Sequence, residues 1–139
     1  MKHNRILVIG CGRLGSNIAI YLSNQGKDVT VLDKDERAFN KINDTFNGST
    51  LLGDATDLEY LQNIENLDNL KEVVIVTEND NTNIFLADYF ALVLDIPNIV
   101  VRITDVEKGQ LIEHMGIKIL YPFKSTFDEF IAYEDRSNI

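Results

Sequence analysis

The stretch Ile6-Leu7-Val8-Ile9-Gly10-Cys11-Gly12-Arg13-Leu14-Gly15 restricts the possible folds of this chain more than any other. A run of β-branched and Leu residues leads directly into three glycines at G-x-G-x-x-G spacing, and a helix-period stretch follows. A second apolar run, Asp28-Val29-Thr30-Val31-Leu32-Asp33, then closes on an acidic residue. Glycine-rich turns alone are common and say little. A strand, the glycines, a helix and a carboxylate about 20 residues further on together predict a turn that holds an adenine nucleotide. The bland alternative is a degenerate turn of the same shape that binds nothing.

Each glycine has its own reason. Gly10 permits the sharp exit from the strand, Gly12 lets the backbone approach a pyrophosphate, and Gly15 lets the helix pack closely on the sheet. Unpaired N–H groups at the helix start, with the positive end of its dipole, face the phosphates. Asp33 is expected to accept from both ribose hydroxyls, and its charge repels a 2′-phosphate. NAD(H), ATP or ADP therefore fits better than NADP, although Lys34 and Arg37 nearby could soften that exclusion. Cys11 could have a lowered pKa at a helix start; the simpler expectation is a small residue filling a tight loop.

The length of 139 residues predicts one domain, about the size of a nucleotide-binding half. A net charge of −9 argues against a nucleic-acid partner, which requires basic surface. The single cysteine excludes an internal disulfide and suits a reducing cytoplasm. No segment reaches the roughly 20 apolar residues of a membrane span, so direct membrane insertion is not expected. Lys2, His3, Asn4 and Arg5 run straight into the first strand without signal-peptide architecture. His3 is expected near a mobile terminus, and His114 in a packing or surface role. Asp105, Glu107 and Glu113 read as a solvated helical face rather than metal ligands.

Apolar runs and helical patterns alternate along the chain. Strands are expected at Arg5–Ile9, Asp28–Leu32, Ser49–Leu52, Glu72–Thr77, Asn98–Arg102 and Lys118–Leu120. Helices are expected near 13–25, 35–46, 57–64, 80–95 and 105–115, with a last one from about 126. Thr56 with Glu59, Thr104 with Glu107 and Thr126 with Glu129 have capping-box spacing. Such alternation predicts an α/β fold: a Rossmann-like, doubly wound parallel sheet of strand order 3-2-1-4-5-6 in a single domain.

The ligand crevice then lies at the carboxyl ends of the strands, where the order reverses. Four groups meet there: the Gly10–Gly15 turn with Arg13, Asp33, the Gly53-Asp54-Ala55-Thr56 segment, and Thr77-Glu78-Asn79-Asp80 with Arg102. Asp54 could meet the adenine end, though Gly-Asp is also a common turn. Arg13 is unfavourable at a helix start, which a phosphate role would explain; a solvated surface arginine is the alternative. The helix 84–94 carries Asp88 as its one charged residue. A helix covering a sheet needs only an apolar stripe, so a surplus face including Phe85, Tyr89 and Leu92 predicts a self-association surface. A further apolar stripe, Phe127, Phe130 and Ile131, lies near the end. Six residues follow Tyr133, too few for another domain: either the natural protein stops here or this is a piece of a longer one.

Taken in order, Gly10–Gly15, Asp28–Asp35, Gly53-Asp54-Ala55-Thr56-Asp57 and Val76-Thr77-Glu78-Asn79-Asp80 resemble the N-terminal nucleotide-binding domain of the RCK (KTN) proteins. Asn83, Val101-Arg102 and Met115-Gly116-Ile117 also match, so the resemblance runs from about residue 4 to 133. Those proteins regulate potassium channels and Trk/Ktr-type potassium transporters. The resemblance implies that Gly10, Cys11, Gly12, Arg13, Leu14 and Gly15 hold phosphates and that Asp33, with Lys34 beside it, holds ribose. It implies Asp54, Ala55 and Thr56 near the adenine, and Thr77, Asn79, Asn83 and Arg102 around the cleft. It further implies a ring or dimer built through the apolar helices, docked on the cytoplasmic side of a membrane transporter or channel. The last helix would cross to a second lobe, absent from this sequence. Cys11 departs from the family's usual apolar residue.

The leading functional expectation is a cytoplasmic regulatory module that reads NAD(H) against ATP or ADP and biases a potassium uptake system. A ligand does so only through unequal affinity for two arrangements. The competing expectation is a small NAD-dependent oxidoreductase on the same fingerprint. Hydride transfer needs a substrate pocket and an acid or base beside the nicotinamide, and no Tyr-x-x-x-Lys pair occurs. A redox-sensing interaction protein without a membrane partner would carry the same site.

Overall fold

The computed structural model describes residues 4–42 and 44–137. Strands β1 (Arg5–Ile9), β2 (Asp28–Asp33), β3 (Ser49–Leu52), β4 (Glu72–Ile75), β5 (Asn98–Arg102) and β6 (Lys118–Leu120) form one parallel sheet of order β3-β2-β1-β4-β5-β6. The expected strand order is therefore observed. Val8 in the centre pairs with Val31 on one side and Val74 on the other. All four residues from Ile6 to Ile9 are buried, as a strand covered on both faces requires.

The two faces have separate cores. Ile6, Val8, Val29, Val31, Val74 and Val76 pack beneath α1 (Arg13–Asn24) together with Ala19. α1 buries Gly15, Ser16, Ala19 and Ser23, small residues at helical spacing that bring it close to the sheet. The opposite face carries Leu7, Ile9, Leu32, Val73, Ile75 and Val101 beneath α2 (Leu58–Gln62) and α3 (Asp80–Asp88), with Phe90 fully buried at its centre. α4 (Val106–Gly109) is a single turn, and α5 (Pro122–Ser137) closes the described chain. No helix among the described residues is long and apolar enough to cross a membrane.

Several expected helices are shorter than their patterns suggest. The helix expected over 35–46 is a 3₁₀ turn, Glu36–Lys41, with no buried residue to hold a longer helix on the sheet; Asn43 lies outside the described residues, as does His3. The helix expected over 105–115 breaks after Gly109, which a Tyr121 ring overlies, and resumes as a 3₁₀ turn at Glu113–Met115. Caps shift as well. Asp57 and Asp105, not Thr56 and Thr104, accept the first N–H groups of α2 and α4. The last helix starts with Pro122 at its first position, so Thr126 lies inside it and its hydroxyl donates to Pro122 O at 3.0 Å.

The apolar helix continues past α3 as a π-helical turn, Tyr89–Val93. This wider turn rotates the following residues. Phe85, Leu92 and Val93 are 41%, 72% and 65% exposed, while Tyr89, expected on that surface, is half-buried with its ring edge-on to Phe90 at 5.8 Å. Along α5, Phe123, Phe127, Phe130, Ile131 and Tyr133 are exposed. In urea unfolding, Phe90→Ala is expected to cost about 3–5 kcal/mol by opening a cavity, while Leu92→Ala stays within about 0.5 kcal/mol.

Candidate functional site

The carboxyl ends of β1, β2 and β4 meet at the glycine turn, with that of β5 one strand further along the sheet. Gly10 leaves β1 at φ +105°, and its N–H donates to Leu32 O at 2.8 Å. A Cβ on Gly10 would lie 2.8 Å from Val76 O, and one on Gly15 would lie 1.8 Å from Gly10 O. Both glycines are thus required by backbone against backbone. Gly12 differs, because a Cβ there would meet nothing within 4 Å. It sits as the N-cap of α1, with no side-chain cap and no acidic residue in the first turn. The open cradle and the uncapped helix start fit an anionic group.

Asp33 is fastened to this turn. Its Oδ2 accepts from the Cys11 N–H at 2.7 Å and its Oδ1 from the Asp35 N–H at 2.8 Å. A carboxylate has about four acceptor positions, so two hydrogen bonds orient it and leave capacity for ribose hydroxyls. Lys34 is exposed beside it. Arg37 turns away into an exposed pair with Asp35 at 3.3 Å.

Cys11 is fully buried, and its thiol donates to Ala38 O at 3.4 Å. Burial, then the Asp33 charge, raise its pKa above the ordinary 9.0, with Lys41 opposing. The lowered pKa considered from its place at a helix start is therefore not observed: α1 offers its N–H groups to the cleft side, while the thiol points into the core.

After β3, Gly53 N–H donates to Asp33 O at 3.0 Å, which brings the Asp54 turn beside Asp33. Asp54 Oδ1 accepts from the Thr56 hydroxyl at 2.6 Å and the Thr56 N–H at 2.9 Å. The hydroxyl bond foremost, then the N–H bond, hold the Asp54 carboxyl below the usual carboxylate range, with a further contribution from the Lys34 charge. Asp54 and Thr56 are exposed and Ala55 is buried. The tip of the Tyr60 ring occupies the place of a Cβ at Gly53, a contact the sequence reading did not find.

The opposite wall is built by α3. Asn79, exposed, caps the helix by accepting from the Thr82 N–H at 2.9 Å, and its own N–H donates to the Thr77 hydroxyl at 3.3 Å. Asn83, expected among the cleft-contacting residues, has no exposed surface. Its amide donates to Thr77 O at 3.0 Å and to Arg102 O at 2.7 Å, and its carbonyl accepts from the Thr77 hydroxyl. Asn83 thus lies beneath the cleft and joins the ends of β4 and β5. Asp80 was grouped with the cleft from sequence, but its role was not foreseen: its two oxygens accept from the Thr104 and Asp105 N–H groups at 2.8 and 2.9 Å. Arg13 and Leu14 are exposed at the start of α1. Among the described residues two buried side-chain donors lack partners, Nε of Arg102 at the cleft wall and Nε of Arg5 at the opposite sheet end.

A six-stranded parallel sheet with a glycine turn and a tethered carboxylate at its switch point defines a Rossmann-like nucleotide-binding domain. The TrkA-N domain profile matches residues 6–122, and the chain belongs to that family. It is similar to a Trk system potassium uptake protein TrkA homolog of Pyrococcus horikoshii, with 34% identity over 132 residues, 94% of this chain and 54% of the relative. The chain spans about half the length of the curated relatives it matches. Among solved structures it resembles the GsuK RCK domain, with 25% identity and a TM-score of 0.69 over 87% of this chain and 26% of the other. A GsuK channel bound to NAD shares the fold, with 22% identity and a TM-score of 0.78 over 97% of this chain and 24% of the other.

Two substitutions separate the glycine roles. Gly15→Ala should lower the unfolding free energy by about 3 kcal/mol or more, because backbone must move, whereas Gly12→Ala should melt within a few degrees of the parent chain. Native Cys11 should resist alkylation at neutral pH and react once the chain unfolds. Because its folded pKa is raised, the stability it contributes is present below pH 9.0 and lost as pH rises through the folded value.

Proposed function

We propose that this chain is the nucleotide-binding regulatory domain of a potassium uptake system, acting by binding rather than catalysis at the cytoplasmic face of a membrane transporter or channel. The observation that carries this reading is the Asp33 carboxylate tied to the Cys11 N–H, beside the open cradle at Gly12, in a chain of the TrkA-N family. Gly10, Cys11, Gly12, Arg13, Leu14 and Gly15 form the phosphate side, and Asp33 with Lys34 forms the ribose side. Asp54, Ala55 and Thr56 border the adenine end; Thr77, Asn79 and Arg102 form the far wall.

Asp33 favours a free ribose 2′-hydroxyl, so NAD(H) is the expected ligand class and NADP is disfavoured. ATP and ADP present the same adenosine and phosphates and are the competing ligands. Self-association uses the apolar helix, through Phe85, Leu92 and Val93. α5, with its exposed Phe127 and Phe130, contributes a second contact as a crossover between subunits.

Calorimetric titration with NADH, NAD, ATP and ADP tests the reading. Binding by NADH or NAD is expected, with Asp33→Ala weakened about tenfold or more through loss of a charged hydrogen-bond acceptor. Asp33→Asn keeps the shape and one acceptor, for the Cys11 N–H, while removing the charge and giving up the bond from the Asp35 N–H. It should weaken NADH and relax the discrimination against NADPH. Absence of binding by all four nucleotides would overturn the assignment.

A further inference from the structure

Among the described residues, the first turn of α3 carries several hydrogen bonds to distant segments. Asp80 accepts from Thr104 N–H and Asp105 N–H across 24 and 25 residues of sequence. Lys108 Nζ donates to Asn81 Oδ1 at 3.2 Å, again from the α4 turn. One helical turn in, Asn83 is bonded to Thr77 O, the Thr77 hydroxyl and Arg102 O. Asp80 and Asn83, neighbours on one face of the helix, therefore grip the carboxyl ends of β4 and β5 and the loop that follows β5, and Asn81 adds the Lys108 bond from another side. These are the elements that carry Thr77, Asn79 and Arg102.

The other end of this helix carries the exposed apolar surface. Phe85 lies one turn from Asp80–Asn83, and Leu92 and Val93 follow through the π turn. A helix is stiff along its axis, whereas a π turn is a break in the regular ladder, with Leu94 N–H donating to Tyr89 O at 3.2 Å. A change in the spacing of Thr77 and Arg102 must be taken up by Asn83. The buried amide has no solvent to turn to, so its bonds shift with the strands or break at a cost.

We propose that the Asp80–Asn83 turn is the coupling device of this domain, with Asn83 and Asp80 as positioning residues that transmit occupancy of the cleft to the Phe85, Leu92 and Val93 surface. This inference rests on the nucleotide-binding reading above. It deepens that reading by naming the residues through which the bound nucleotide reaches the association surface. Neither residue needs to touch the ligand.

Amide hydrogen exchange across residues 85–93, with and without NADH, tests the device in the full chain. NADH should slow exchange in the parent protein. Asp80→Asn keeps the shape but replaces one acceptor oxygen by a donor, and Asn83→Ser removes the bridge between the strands; both are compared at NADH concentrations giving equal occupancy by titration. Loss of about tenfold or more of the NADH-dependent slowing in either variant supports coupling. A merely structural role would lower the melting temperature and leave the slowing intact, which overturns the proposal, as would NADH binding that leaves exchange in the parent unchanged. Failure of NADH to bind the parent at all removes the binding reading and the coupling with it.

Discussion

The structure depends on one close approach, the seating of Gly15 against the carbonyl of Gly10, where a side chain would stand 1.8 Å from the oxygen. Because α1 starts in contact with the end of β1, its free N–H groups open directly above the point where the strand order reverses. Gly10 in turn lies against Val76 after β4, so β1, β4 and the helix start are locked together by backbone. The cradle at Gly12 is the space left over. Its shape follows from two contacts on either side rather than from any group of its own.

The walls on the two sides of this point are held differently. On the β2 and β3 side, solvent-reaching carboxylates do the fastening: half-buried Asp33 bonds the glycine turn, and exposed Asp54 closes a turn on Thr56. Such groups remain able to accept from a ligand. On the β4 and β5 side the fastening is a buried amide, Asn83, whose donors are all used within the protein. A buried, satisfied amide gives position rather than binding. The cleft therefore has one wall suited to contacting ribose and one suited to holding a geometry, and the helix behind the second wall carries the exposed apolar surface.

Much of this architecture was legible in the residue order. The β1, β3, β5 and β6 bounds agree with the apolar runs, and the order 3-2-1-4-5-6 is that expected of alternating strands and helices that open on this glycine turn. Helix lengths were less legible. The 35–46 segment has helix-forming residues but none that is buried, and in the 105–115 segment the helix stops at Gly109, against which the end of the Tyr121 ring lies. Caps misled for a simpler reason: at Thr56-Asp57 and Thr104-Asp105 an aspartate stands one place beyond the threonine and is the better acceptor in that geometry. At the site, the close-packing roles of Gly10 and Gly15 were identifiable, as was the place of Asp33 beside the turn. Asn83 was picked out, but an asparagine in an apolar helix carries no local sign of whether it faces a ligand or the core.

By itself the sequence determined the parallel sheet, the nucleotide turn and the surplus of apolar surface on the 84–94 segment, because each is written in short-range periodicity and in glycine spacing. The tertiary structure alone decided which groups are spent within the protein and which face the cleft. That distinction arises from hydrogen bonds closed over long separations, from Cys11 to Asp33 and from Asp80 to Thr104. It also arises from the π turn at Tyr89–Val93, which exposes Val93 and withdraws Tyr89. Both depend on how distant strands set the position of a helix, and no local pattern of residues encodes that distance.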